Sequence, residues 1–132
     1  MKSYVFTVDG VEYRRIHVLS LKRSFSILDG ENAGRTMDGK MQRDVIGTYY
    51  NYSLVIDPSD SDPAEYDALY ELLSSPQDSH KVSFPYNRGN LSFDAYVANG
   101  EDELLDIFNG QNRWDNLTIN FISMEPQRRP AE

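Results

Sequence analysis

Seven consecutive residues, Gly34-Arg35-Thr36-Met37-Asp38-Gly39-Lys40, match the opening of a phosphate-binding P-loop. In that motif glycines let backbone N–H groups wrap the phosphates, and a Ser or Thr after the lysine holds magnesium. Here that position is Met41. The motif also needs a strand before it and a helix after it, whereas a strand-like run follows here. Phosphate chemistry is therefore rejected. The two histidines, His17 and His80, stand alone in sequence without metal-ligand spacing. Asp57, Asp60 and Asp62 lack the spacing and turn glycine of a calcium loop, so they offer no more than a weak surface calcium. With no cysteine there is neither a disulfide framework nor a thiolate site. No nucleophile elbow occurs. Sequence alone cannot pair the many Asp and Glu into an acid–base couple. The reading is of a protein with no catalytic residues, no cofactor and no metal. Trp114, Tyr13, Tyr49, Tyr86 and Tyr96 suggest a sugar platform, but aromatics in strands more often serve the core or cross-strand pairs.

A length of 132 residues fits one domain, expected over 1–125 with a flexible charged tail over 126–132. The net charge of −8 argues against a nucleic-acid-binding surface, which needs clustered Lys and Arg. No run approaches a membrane span and the N-terminus lacks a secretory core, so a protein made in the cytoplasm is expected.

Positioning falls to a run of strands. Tyr4–Val8 and Val11–Val18 are separated by the turn pair Asp9-Gly10. Leu19–Ile27 alternates, with Leu19, Leu21, Arg23, Phe25 and Ile27 inward. Arg23 is expected to reach the rim or a carboxylate. Asp44–Ile56 is the strongest strand, with Ile46, Thr48, Tyr50, Tyr52, Leu54 and Ile56 on one face. A helix over Pro63–Ser74 follows. Asp62 is its N-cap, Glu65 completes a capping box, and Tyr66, Leu69, Tyr70 and Leu73 form one stripe. Lys81–Tyr86 and Leu91–Val97 read as a hairpin across Asn87–Asn90. Pro85 belongs at an edge or non-bonded position. Glu101–Asn109 reads as a short helix, or almost as well a loop, with Leu104, Leu105 and Phe108 inward. Asp115–Met124 is the final strand. The expected core comprises Phe25, Tyr50, Tyr52, Leu54, Leu69, Leu73, Phe93, Val97, Ile119 and Phe121. This pattern predicts a mainly β fold, an antiparallel β-sandwich or open barrel with one packed helix.

Between the third and fourth strands lies Leu28–Arg43, far longer than a hairpin needs. Loops of this length are usually functional or disordered. Its Asp29-Gly30 and Asp38-Gly39 pairs favour turns. The run DGENAGRTMDGKMQRD at 29–44, continued by VIGTYYNYSLVI, resembles small tail proteins from the tail-gene clusters of prophages of Gram-positive bacteria. The residues that carry the resemblance are Asp29, Gly30, Asn32, Ala33, Gly34, Arg35, Thr36, Asp38, Gly39, Met41, Arg43 and Asp44. The order of elements is also similar to the tail-tube fold shared by tube proteins and the ring-forming part of distal tail proteins. The resemblance implies a structural component of the distal tail or baseplate with no enzymatic activity, located in the virion tail. Its implied partners are copies of itself in a ring and other tail proteins. Assembly would run through strand edges and through Leu28–Arg43 as the assembly loop, with Arg35 and Arg43 pairing to carboxylates on a neighbour. The competing readings are a small carbohydrate-binding tail accessory and a tail-associated hydrolase with a carboxylate pair. If the chain lined a tail channel, the acids of Asp57–Asp62 and Glu101–Asp106 would repel DNA phosphates.

Overall fold

The computed structural model describes residues 5–30, 34–35 and 39–130. Its strands are β1 (Thr7–Val8), β2 (Val11–Glu12), β3 (His17–Asp29), β4 (Gly34–Arg35), β5 (Met41–Gln42), β6 (Val45–Asp57), β7 (His80–Tyr86), β8 (Gly89–Tyr96), β9 (Gly100–Phe108) and β10 (Gln111–Ser123). A 3₁₀ turn, Pro58–Asp60, and the helix α1, Pro63–Ser74, separate β6 from β7.

Every strand pairing is antiparallel, and the sheet does not close. The order is β2-β1-β7-β8-β10-β6-β3, with β9 also on β10. The strand β10 joins two layers. Leu117–Phe121 pairs with β6, and Gln111–Ile119 pairs with β9 on the other edge. Past β9, Ile122 and Ser123 pair with β8. The layers β3-β6-β10-β9 and β2-β1-β7-β8 thus face each other. Phe84 on β7 stacks on Tyr52 of β6 at 4.6 Å between ring centroids and tilts against Phe121 of β10 at 5.0 Å. Phe6, Val8, Leu54, Ile56, Val82 and Leu117 complete the sealed centre.

Helix α1 forms over the residues its signals mark. The Asp62 side chain accepts from the Glu65 N–H at 3.1 Å, and Pro63 occupies the first turn, where no N–H is needed. Tyr66, Leu69 and Leu73 are buried against the sheets. The capping box is not reciprocal, however. Glu65 accepts instead from the Arg15 N–H at 3.0 Å, while the Asp62 N–H donates to the Arg15 carbonyl. The helix start is thereby fastened to the segment entering β3.

Several expectations are corrected. The run Val11–Val18 is broken: Val11–Glu12 form β2, Tyr13 and Ile16 turn into the core, and His17 and Val18 already belong to β3. Phe25, expected in the core, is 67% exposed, and Leu19 and Ile27 are exposed too. Alternation along β3 is real, but the strand outruns the opposing layer, so its distal half has nothing to pack against. Tyr50 is only half-buried for the same reason, while Phe93 and Val97 sit at the core's margin. Of the two placements expected for Arg23 the rim is the one found: it is exposed, donates to the Asn87 amide oxygen at 2.8 Å and lies over Tyr86.

Glu101–Asn109 is neither helix nor loop but β9 through Phe108, and Leu104, Leu105 and Phe108 are exposed. Their spacing also fits one helix face. The N-terminal half of β10 offers an open edge, and Asn109-Gly110, both at positive φ, turns the chain back onto it. Nor is the tail free at its start. Thr48 N–H donates to the Arg128 carbonyl at 2.8 Å, and the Gln127 side-chain amide donates to the Tyr50 carbonyl and accepts from its N–H. Residues 126–128 thus continue along β6 where β10 stops.

Candidate functional site

The predicted assembly loop is shorter than the sequence suggests. Strand β3 carries Leu28 and Asp29, and β4 and β5 form a small ladder inside the loop, Gly34 opposite Gln42 and Arg35 opposite Met41. Its base is clamped. The Arg43 guanidinium donates to both Asp29 carboxylate oxygens, at 2.8 and 2.9 Å, and Gly30 N–H donates to the Asp44 carbonyl. A Cβ on Gly30 would stand 2.6 Å from an Asp44 carboxylate oxygen. Arg43 thus has a carboxylate partner within its own chain, through its Nε. Gly39 takes positive φ, as its Asp-Gly pair predicts, and Met41 is exposed. Asn32, Thr36 and Asp38 lie outside the described residues, as does the side chain of Arg35.

The layer that carries this loop ends in two open edges. Among the described residues, neither β3 nor β9 pairs with a further strand beyond its one neighbour. Both display large apolar side chains: Phe25, Ile27 and Leu28 on β3, and Leu104, Leu105, Ile107 and Phe108 on β9. Ile107 is 64% and Phe108 60% exposed. Their charges are opposite. Strand β3 carries Lys22 and Arg23, while β9 carries Glu101, Asp102, Glu103 and Asp106. Asp106 is held by Arg113 at 2.6 and 2.5 Å, and that hydrogen bond, with the nearby charge, lowers its proton affinity.

Beneath the β9–β10 arm runs a cleft of two contiguous parts, about 460 Å³ and 260 Å³. Strand β10 shifts register beside it, at Arg113/Trp114 and again at Asp115/Thr118, with Asn116 at positive φ. The Tyr66 hydroxyl donates to Asp102 at 2.6 Å. Burial and that bond push Tyr66 ionisation far upward, so it remains a donor.

The proposed aromatic platform is not assembled. Tyr13 is buried on Phe6, Trp114 lines the cleft under the arm, and Tyr86 meets Tyr50 beside Arg23. The hydrogen bond between Tyr86 and Tyr50 lowers Tyr50 from the usual phenol range, with Arg128 adding to the effect, and the same bond raises Tyr86 against the opposing pull of Arg128. The fold also brings together residues that sequence spacing kept apart. His17 stands directly across from Asp57, and its Nδ1 lies 2.9 Å from Asp60 and 3.9 Å from Asp57. Among the described residues this is the group whose side chains converge as metal ligands could. All three also have local tasks: Asp57 caps the 3₁₀ turn through Ser59, and His17 and Asp60 contact each other at the surface. His80 is buried, with Nδ1 2.8 Å from Asp9, whose other oxygen accepts from the Lys81 N–H.

Strand edges were expected to serve assembly, but which strands form them was not legible in the sequence, nor were the cleft and the His17 group. Asn109-Gly110 was the available signal for β9; nothing local announces the other two. No protein-family model matches the chain, and no curated protein matches it. No helix among the described residues is long and apolar enough to cross a membrane.

Proposed function

We propose that this protein is a structural component of a phage or prophage tail, in the distal tail or baseplate region, and that it acts by assembling with copies of itself and with other tail proteins. The observation that carries this reading is the four-stranded layer with two long, open, apolar and oppositely charged edges. Long exposed edges are templates for pairing, and isolated proteins normally blunt them. Strands β3, β6, β10 and β9 alternate in direction, so β9 of one copy set beside β3 of the next continues an antiparallel sheet. Such a contact is head-to-tail, which closes into a ring or runs into a filament. Lys22 and Arg23 would then face the acids of β9. The loop clamped at Asp29 and Arg43 starts from the same layer, and its likeness to prophage tail proteins supports the placement in a tail. The acidic balance suits a component that lets DNA pass without gripping it.

Negative-stain imaging with light scattering on the purified full chain tests the reading. Rings or short stacks are expected, and both Phe25→Asp and Ile107→Asp should return the chain to monomers. Antibody labelling of purified virions should mark the tail, and a low-salt gel shift should show no DNA binding. A chain that stays monomeric at high concentration and leaves tails unlabelled would remove the proposal.

A further inference from the structure

We propose that the cleft beneath the β9–β10 arm is a binding site for a basic peptide segment, seated through Lys or Arg side chains. The inner part of the cleft is built from Tyr66, Asp67, Tyr70 and Glu71 of α1, Asp102 of β9 and Trp114 of β10. Positions 66, 67, 70 and 71 fall on one side of the helix; the buried Tyr66 offers its hydroxyl edge, while Tyr70 presents an exposed ring and Asp67 and Glu71 two exposed carboxylates. The Tyr66 and Tyr70 rings lie 6.3 Å apart, and the Trp114 indole stands on the facing wall. Aromatic faces with nearby carboxylates are the setting in which ammonium and guanidinium groups bind, because the ring quadrupole and the anions both attract a cation.

The charge balance selects the ligand. Three carboxylates line the inner part and no basic residue does. The outer part contains one cation, Arg113, which is committed to Asp106 and lies over the Phe108 ring. Three like charges around one cleft repel one another, and an entering cation relieves that repulsion. An anion would meet the same carboxylates unfavourably. A neutral oligosaccharide could stack on the rings but would gain no charge attraction. Tyr66 holds one oxygen of Asp102 and fixes its orientation toward the cleft. The two contiguous parts together exceed the room one side chain needs and fall within the size of ordinary ligand sites. A short segment running from α1 toward Ser59 and Asn112 fits that shape. This site does not depend on the open strand edges, so it stands or falls separately from the assembly reading.

Trp114 is the only tryptophan in the chain, so its emission reports on this cleft alone. Triarginine amide is titrated into the full chain at low salt, with triglutamate and chitotriose as parallel probes. The expected result is a saturable change in Trp114 emission with triarginine only, weakened by added salt. The double variant Asp67→Asn/Glu71→Gln should weaken it at least tenfold; both positions are exposed, and an unchanged melting curve verifies that the fold is kept. Asp78→Asn/Asp94→Asn removes two acids outside the cleft and should leave the affinity within twofold. Absence of a triarginine response overturns the proposal. Equal weakening by both double variants overturns it as well, because general attraction to an acidic protein would then suffice. A response to chitotriose in place of triarginine would replace it with a saccharide site.

Discussion

The centre and the flanks of the β3-β6-β10-β9 layer obey the same alternation and yet have opposite fates. On β6 and β10, Tyr52, Leu54, Ile56, Leu117, Ile119 and Phe121 are sealed against the β7–β8 layer and α1. On β3 and β9, equally apolar side chains stand in solvent. The difference is coverage. The second layer and the helix span the middle of the first, and both flanking strands reach past them. An apolar residue in a strand therefore records a surface to be covered, and its own fold covers only part of it. What remains is the surface that the proposed assembly would use.

The contrast can be broken first at its strongest point. Phe84→Ala at the centre should cost about 3–5 kcal/mol in urea unfolding, the range for emptying a large buried site. Phe25→Ser and Ile107→Ser, measured as monomers, should each stay within about 0.5 kcal/mol of the parent, as exposed positions do. Similar losses at centre and edge would mean that the flanks pack within one chain.

A smaller effect tests where β6 passes from β10 to the tail. A Cβ on Gly47 would lie 2.5 Å from the Arg128 carbonyl oxygen and 2.6 Å from the Pro126 Cβ. Gly47→Ala should therefore lift the tail and destabilise by about 1–2 kcal/mol, within the range for a misfit at a packed position. Trypsin should then cut faster after Arg128, since Pro130 blocks cleavage after Arg129. In a chain truncated before Pro126 the same substitution should cost almost nothing further, which is the non-additivity expected of groups in contact. A full additional cost would show that Gly47 is needed for β6 itself. Loss of the α1 cap comes next: Asp62→Ala should cost about 1 kcal/mol, read in the same unfolding experiment.

The smallest expected change is in pH dependence. Burial works to raise the Asp9 carboxyl, but the His80 hydrogen bond, the Lys81 N–H and the His80 charge outweigh it and hold it below its ordinary value. A carboxyl depressed in the folded state stabilises above its unfolded pKa, about 3.9, and that contribution disappears as pH falls through the depressed folded value. Stability should decline over that acidic window, and Asp9→Asn should flatten this part of the profile. An unchanged acid limb in the variant would assign the decline to other carboxylates.

Sequence reading succeeded wherever the signal and its consequence lay in one short stretch. Asp62, Pro63 and the stripe from Tyr66 to Leu73 suffice for α1, since capping and helical spacing are local. The turn after Tyr86 and the inward face of β6 from Tyr52 to Ile56 are local in the same way. The mainly β class with one helix follows from these elements alone. Leu104, Leu105 and Phe108 fit a helix and a strand equally, and it was the open edge of β10 that made them a strand. The Arg43–Asp29 clamp, the seating of Gln127 on Tyr50 and the cleft below Trp114 all join residues distant in the chain. Composition and periodicity determined which faces are apolar. Only the tertiary structure decided which of them are covered, because coverage depends on where a second layer ends.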